Sequence, residues 1–516
     1  MKKHIKLAGL TLMAILTLNS CNEEELIELN VNKNASTDID LRYLFSLGSL
    51  QVAGDRYESW RTNLIYSSTM IQHNATLAGY WSGDKYYYNA QYSGAYWEAH
   101  YPGAIKTLTH VVDKTAGKPE AANLHSAAQI MRAFDLHRMT DIYGNIPYSQ
   151  AGRGLDGQEF WFPKYDNQKD IYTALVSDIK AARDGFSASA RPLGQQDVLF
   201  QGDTNKWKKF ANALLMRIAM RMSKVDAATA RTVFTEAATS GAIDSNASNA
   251  FMTQVLGNGG GINYNGTSLA MSNAAGGGGD NNAKVSKTFL DWMNKHNDPR
   301  KMIIVGGVGN PYDKSTWNTD PDAQVGLPNG YTTTTIKNIK PDFTSIHTYS
   351  FINPNIIDLD DPTPFISYAE VQFMMAEAAL KGWVSSDATT HFNNGVRAAI
   401  ESWAAFGVTV PTQASISAYI AGLGFPAANN ERKLELIGEQ YWAATYLNHI
   451  EAWSNWRRSG YPKLTPTNDP ANETNGTIPR RLRYYEDEAG SNPGNYKAAV
   501  AAQGPDLLTT RMWWDK

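Results

Sequence analysis

A single cysteine, Cys21, among 516 residues leaves no partner for a disulfide and no second thiolate for a metal site. The ten histidines are scattered rather than grouped. No His-Glu-x-x-His helix is present to hold zinc, and His125 and His137, twelve apart, are not placed as adjacent ligands. Nucleotide signatures are missing as well. The glycine-rich run at 276–284 lacks the Gly-Lys-Ser/Thr ending that sets a lysine on phosphate, and Gly306-Gly307-Val308-Gly309 is followed by Asn310-Pro311 where a dinucleotide site needs a helix. There is no Gly-x-Ser-x-Gly elbow for a serine nucleophile. Basic residues are in slight deficit, with a formal net charge of −3, which removes the electrostatic case for nucleic acid. The apolar run at 7–18 is too short to span a bilayer.

That short run has a different use. Lys2, Lys3 and Lys6 precede it and Leu18-Asn19-Ser20-Cys21 closes it, the layout of a secretory signal peptide ending in a sequence that resembles the lipobox of bacterial lipoproteins. The expectation is that residues 1–20 are removed and that Cys21 becomes the acylated first residue. Removal takes three lysines and no acids, leaving 44 basic against 50 acidic residues, a balance of −6. Residues 21–35 are polar and acidic, starting with Glu23-Glu24-Glu25, and are expected to form a lipidated flexible tether. Residues 36–516 are expected to fold as a single domain with a loop-rich insert at about 245–365.

Helical periodicity dominates that domain. The strongest stretch, 429–461, places Leu434, Ile437, Tyr441, Ala444, Leu447 and Ile450 on one stripe. Asn430 and Glu431 suit its start, and Arg457, Arg458, Gly460 and Pro462 its end, so one long helix is expected. Tyr446, Trp453 and Trp456 leave the stripe, as they would in a helix running between two layers. Further helices are expected from a cap at 36–38 to about 52, then at 123–140, 170–186, 206–225, 227–240, 283–297, 366–382 and 391–405. Helices in succession with short loops are the pattern of helical-hairpin repeats. The stretches 257–282 and 300–364 are instead rich in Gly, Pro, Thr and Asn, and long loops on a rigid scaffold are where binding residues sit.

Five segments carry a family resemblance. They are MRAFDLHRMTDIYGNIPYSQA at 131–151, KWKKFANALLMRIAMR at 206–221, SYAEVQFMMAEAALKGW at 367–383, ERKLELIGEQYWA with EAWSNWRRSGYPKL at 431–464, and IPRRLRYYEDE at 478–488. In content and order they resemble the SusD/RagB family of nutrient-binding outer-membrane lipoproteins. The resemblance implies a mainly α fold of tetratricopeptide-like hairpins, with the ligand site on long irregular loops. It also implies binding without cleavage, no cofactor, and delivery of the ligand to a SusC-like TonB-dependent outer-membrane transporter docked on the helical body. The acidic triad is similar to the signal that sends such lipoproteins to the outer face of the outer membrane.

Aromatics make up 11% of the chain, with 14 Trp and 26 Tyr, and they crowd into 80–97. Sugars offer flat C–H faces that stack on indole and phenol rings, so an oligosaccharide is the expected ligand. Trp81, Tyr86, Tyr88 and Trp317 are the expected contacts, with Tyr312 and Tyr331 in the same loops and Tyr96 and Trp97 reading as core. A peptide ligand would use the same rings. A secreted glycan or peptide hydrolase also stays open from residues alone, because paired carboxylates need no sequence motif; shortened products would reveal it. Asp358, Asp360 and Asp361 could ligate a hard cation, or could be a solvated loop before Pro362.

Overall fold

The computed structural model describes residues 39–257, 263–272, 282–467 and 469–516. The expected signal peptide, Cys21, the tether and the cap at 36–38 lie outside these residues. So does most of the glycine-rich run.

The principal helices are α1 (Leu41–Val52), α2 (Lys106–Thr115), α3 (Ala122–Tyr143), α4 (Gln168–Asp184), α5 (Thr204–Met222), α6 (Ala227–Ser240), α7 (Gly266–Met271), α8 (Lys287–His296), α9 (Tyr368–Leu380), α10 (Ala388–Glu401), α11 (Asn430–Ala444), α12 (His449–Ser459) and α13 (Pro493–Gln503). Short side-chain oxygens start them. Asp203 accepts from the Asn205 and Lys206 amides, Asp226 from Thr229, and Asp387 from Thr390, while Ser367 and Glu370 close a reciprocal capping box on α9. Successive helices then pack in pairs, α2 on α3, α3 on α4, α5 on α6 and α9 on α10. The fold is mainly α, a scaffold of tetratricopeptide-like hairpins.

Helix α3 is buried on all sides, including Arg132, Asp135, His137, Arg138 and Asp141, which is why its apolar residues form no single stripe. Such charges are tolerable inside only when paired. Arg221 of α5 donates to Asp141 at 3.0 Å and to Glu451 of α12 at 2.7 Å, Arg217 reaches Glu370 of α9 at 2.6 Å, and the Tyr441 hydroxyl sits between the two glutamates, 2.7 Å from Glu451 and 2.9 Å from Glu370. Burial pulls the Glu451 carboxyl upward, but Arg217 and Arg221 outweigh it and hold the group at about 2. Five helices are keyed together through this one network.

The middle region supplies all but one of the described strands. Asn74–Ala75 (β1), Lys284–Val285 (β3), Val305–Val308 (β4) and Ser350–Ile352 (β5) form an antiparallel sheet in the order β1-β3-β5-β4, and Ala250–Met252 (β2) pairs with Thr363–Ile366 (β6). The helix expected at 283–297 is therefore β3 followed by α8.

The single helix expected over 429–461 is two helices. It stops at Ala444 and restarts at His449, with Leu447 in the left-handed region at φ 74°. Its cap is Asn429, not Asn430. The cause of the break lies far away in sequence, on a wide-turned π-helix at Ser59–Ser68. There the Asn63 side chain donates to the Leu447 carbonyl at 2.9 Å and accepts from the His449 and Ile450 amides at 2.9 and 3.3 Å. One amide thus satisfies groups freed on both sides of the interruption.

Candidate functional site

The π-helix that stitches this break also faces outward. In the sequence Arg56-Tyr57-Glu58-Ser59-Trp60-Arg61, positions 57, 60 and 61 fall on one helical face, and Glu58, Ser59 and residues 62–68 are buried. Tyr57 is exposed, and Trp60 and Arg61 are half-buried. The Arg61 guanidinium lies 5.4 Å from the Tyr57 ring centre and 5.6 Å from that of Tyr92, while Arg56 lies 5.6 Å over Tyr57. Trp60 packs at 5.7 Å on Tyr92 and at 6.1 Å on the exposed Tyr80. Trp60 thus joins Tyr80 and Tyr92 ring to ring, and the Arg61 guanidinium links Tyr92 to Tyr57.

The middle region borders this platform. Asn282 donates to the Tyr80 hydroxyl at 3.0 Å. Helix α7 packs on the π-helix, with Gly266 so close that a Cβ there would sit 2.4 Å from the Asp55 carbonyl oxygen. The exposed Tyr312 donates its hydroxyl to the Met271 carbonyl at 3.0 Å. Ring faces, amides and guanidinium groups in one place can stack against a pyranose and hydrogen-bond its hydroxyls.

Two of the four expected contacts are corrected by burial. Trp81 and Tyr86 are both 0% exposed. The segment carrying them turns inward around a buried Lys85–Asp84 ion pair of 2.8 Å, and Gly83 approaches the π-helix so closely that a Cβ would lie 2.3 Å from the Ile65 carbonyl oxygen. Tyr86 adopts φ 57°, and its hydroxyl accepts from the Thr467 amide at 3.0 Å. Tyr88 is half-buried, with the Arg483 guanidinium 3.7 Å from its ring centre and its amide on Glu473 at 2.9 Å. Trp317 is half-buried against Phe351 at 5.0 Å, its indole N–H donating to the Asn310 carbonyl at 2.7 Å. Each is packed against different partners, so the structure does not gather the four into one site. The ring group at 80–92 includes two platform residues, Tyr80 and Tyr92, and Tyr312 lies against α7 at its border, but Tyr57 and Trp60 were missed, although their three-residue spacing beside Arg61 was the available signal.

No three His, Cys, Asp or Glu side chains converge as a metal site among the described residues. In the aspartate cluster Asp361 instead accepts from the Asp358 amide at 2.7 Å, and burial, with the charges of Asp358 and Asp360, raises its carboxyl to about 7. No described helix is long and apolar enough to cross a membrane.

Among solved structures the fold has close counterparts. One, described as a chitin-binding protein, superposes with a TM-score of 0.80 at 31% identity, covering 92% of this chain and 100% of its own. A SusD-like protein from Bacteroidetes, AC2a, gives 0.80 at 27% identity, covering 93% of this chain and 100% of its own. A chitin-binding SusD homologue from Flavobacterium johnsoniae gives 0.75 at 23%, covering 92% and 98%, a likeness of fold alone. No curated protein matches. The family model SusD-like_2, described as "Starch-binding associating with outer membrane", matches residues 33–485, and the chain belongs to that family.

Proposed function

We propose that this protein is a lipid-anchored surface protein of the outer membrane that captures a glycan and passes it to a SusC-like TonB-dependent transporter. The observation that carries the reading is the platform of Tyr57, Trp60, Tyr80 and Tyr92 with Arg61 between rings. The family description supports it, as does the chitin-binding relative at 31% identity. Trp60 and Tyr80 would stack on sugar rings, Arg61 and Asn282 would hydrogen-bond hydroxyls, and the oligomer would leave intact. The anchor in this reading is Cys21, since two or more acyl chains hold a protein on a membrane where one is marginal.

Calorimetry of the mature protein with chito-oligosaccharides, malto-oligosaccharides, xylo-oligosaccharides and a control peptide set tests the ligand class. A glycan should bind, Trp60→Ala should weaken it at least about tenfold, close to 1.4 kcal/mol, and the recovered oligomer should be full length. Binding only to peptides, or shortened products, overturns the reading. A fatty-acid probe should label wild type and not Cys21→Ala, and a barrel protein should co-purify in mild detergent.

A further inference from the structure

The loop at 152–163 exposes Leu155, Trp161 and Phe162 to 86, 58 and 60%. Three large apolar side chains this open on one short loop are a concentrated cost in water. The loop is nevertheless closed on itself, because the Trp161 indole N–H donates to the Gly154 carbonyl at 3.0 Å. The indole is therefore held in place with much of its surface uncovered. Beside it is a cleft of about 530 Å³ bordered by Trp97, Tyr101, Gln150, Phe160, Trp161 and Glu488. A second cleft of about 420 Å³ adjoins it, sharing Lys106, Gly152, Arg153 and Leu155.

The walls are fixed by their own bonds. Tyr101 donates to the Pro147 carbonyl at 2.7 Å, Arg153 to Asp113 at 2.7 Å, and Glu488 accepts from Tyr165 at 2.5 Å. Charges of both signs line the clefts, so neither an anion nor a cation is selected. What remains is an indole face and a phenyl ring, with amide, ammonium and carboxylate groups within the size range of ligand pockets. A flat protein partner would use the apolar rim and leave these hollows unfilled. A narrow, uncharged, many-hydroxyl chain would use both.

We propose that the double cleft beside Trp161 is a second glycan-binding subsite, sharing no lining residue with the Trp60 platform and adding hold on longer chains. The proposal rests on the glycan-binding reading above. It is tested by affinity electrophoresis through soluble starch, xylan and glycol chitin, and by calorimetry with a dimer and a hexamer of whichever sugar retards wild type. The variants are Trp60→Ala, Trp161→Ala, Leu155→Ser and the Trp60/Trp161 double change. Trp161→Ala and Leu155→Ser should weaken polymer or hexamer binding at least about threefold, and the double variant should lose polymer retardation that each single variant partly keeps. If wild type binds no glycan, the parent reading fails and this one with it. If glycan binding depends on Trp60 but not on Trp161 or Leu155 at any chain length, the second subsite alone is overturned. Loss of barrel-protein co-purification in Trp161→Ala with glycan binding unchanged would assign the loop to protein docking and overturn it as well.

Discussion

Two groups of rings, one buried around Trp442 and one at the surface around Trp60, differ in what they show to water. Inside, Trp442 donates to the Ile71 carbonyl at 3.0 Å, Tyr446 to Asn74 at 2.9 Å, and His73 stacks on Trp442 at 4.9 Å while meeting His449 nitrogen to nitrogen at 2.9 Å. Outside, Trp60 packs at a tilt on Tyr80 and Tyr92, Arg61 links Tyr92 to Tyr57, and all four rings keep surface toward water. Both groups are aromatic and adjacent to polar residues, so composition does not separate them. Exposure does: rings closed off from water are holding the fold, and rings that keep part of a face in water are open to a ligand.

The comparison breaks most visibly from the inside. Trp442→Ala should cost about 3–5 kcal/mol of stability, seen as a lowered urea midpoint; a loss under about 1 kcal/mol would mean the inner cluster is not structural. Asn63→Ala removes the amide shared by both sides of the helix break and should cost about 2–4 kcal/mol. It should also weaken glycan binding, since Trp60 and Arg61 share its helix. Unchanged glycan affinity in Asn63→Ala would separate the platform from the break.

Proton uptake sharpens the same contrast. The His73 Nε2–H donates to the Trp442 carbonyl at 3.0 Å, so its Nδ1 accepts from His449 and both rings are neutral. Burial, then the neighbouring ring, lowers His73 well below 6.5, and burial lowers His449 to about 3. The unfolded chain takes up these protons near pH 6.5 and the folded chain does not. Stability should therefore fall as pH drops below 6.5, by about 1.4 kcal/mol per pH unit for each ring until its folded value is reached. A urea midpoint flat between pH 6.5 and 4 would contradict the neutral pair.

The outer rings should behave in reverse. Trp60→Ala should leave the midpoint within about 0.5 kcal/mol of wild type while lowering glycan affinity at least about tenfold. The smallest effects belong to Tyr88→Ala and Trp317→Ala, whose rings already face Arg483 and Phe351. Each should hold glycan affinity within about threefold, less than about 0.7 kcal/mol. A larger loss in either would extend the site toward it.

Much of the scaffold was legible because it is written locally. Periodicity placed α3, α5, α6, α9 and α10 to within a few residues, and the exact bounds expected for α6, 227–240, match Ala227–Ser240. The break at 445–448 was not legible, because nothing between Asn429 and Gly460 demands it; the partner that stabilises it is Asn63. The site was half legible for the same reason. A run such as Tyr80-Trp81 through Tyr88 announces rings, but Gly83, pressed on the π-helix, and Lys85, buried on Asp84 and the Thr76 carbonyl, decide which way they turn. Tyr57 and Trp60 carried the right spacing in a stretch with no aromatic density to draw notice.

The stitch by Asn63 also bears on the order in which the chain can mature. Apart from Thr267, its bonding partners are 384 to 387 positions downstream, so most of the bonds made by this one side chain wait for nearly the whole polypeptide. Until residues 447–450 are in place, the Asn63 side chain has only Thr267 to bond, and the π-helix that carries Trp60 and Arg61 lacks its packing against α12. The ring platform is then among the last surfaces completed, since closing so long a loop is slow. A chain interrupted before α11 would carry every platform residue and still lack the packing of α12 on the π-helix.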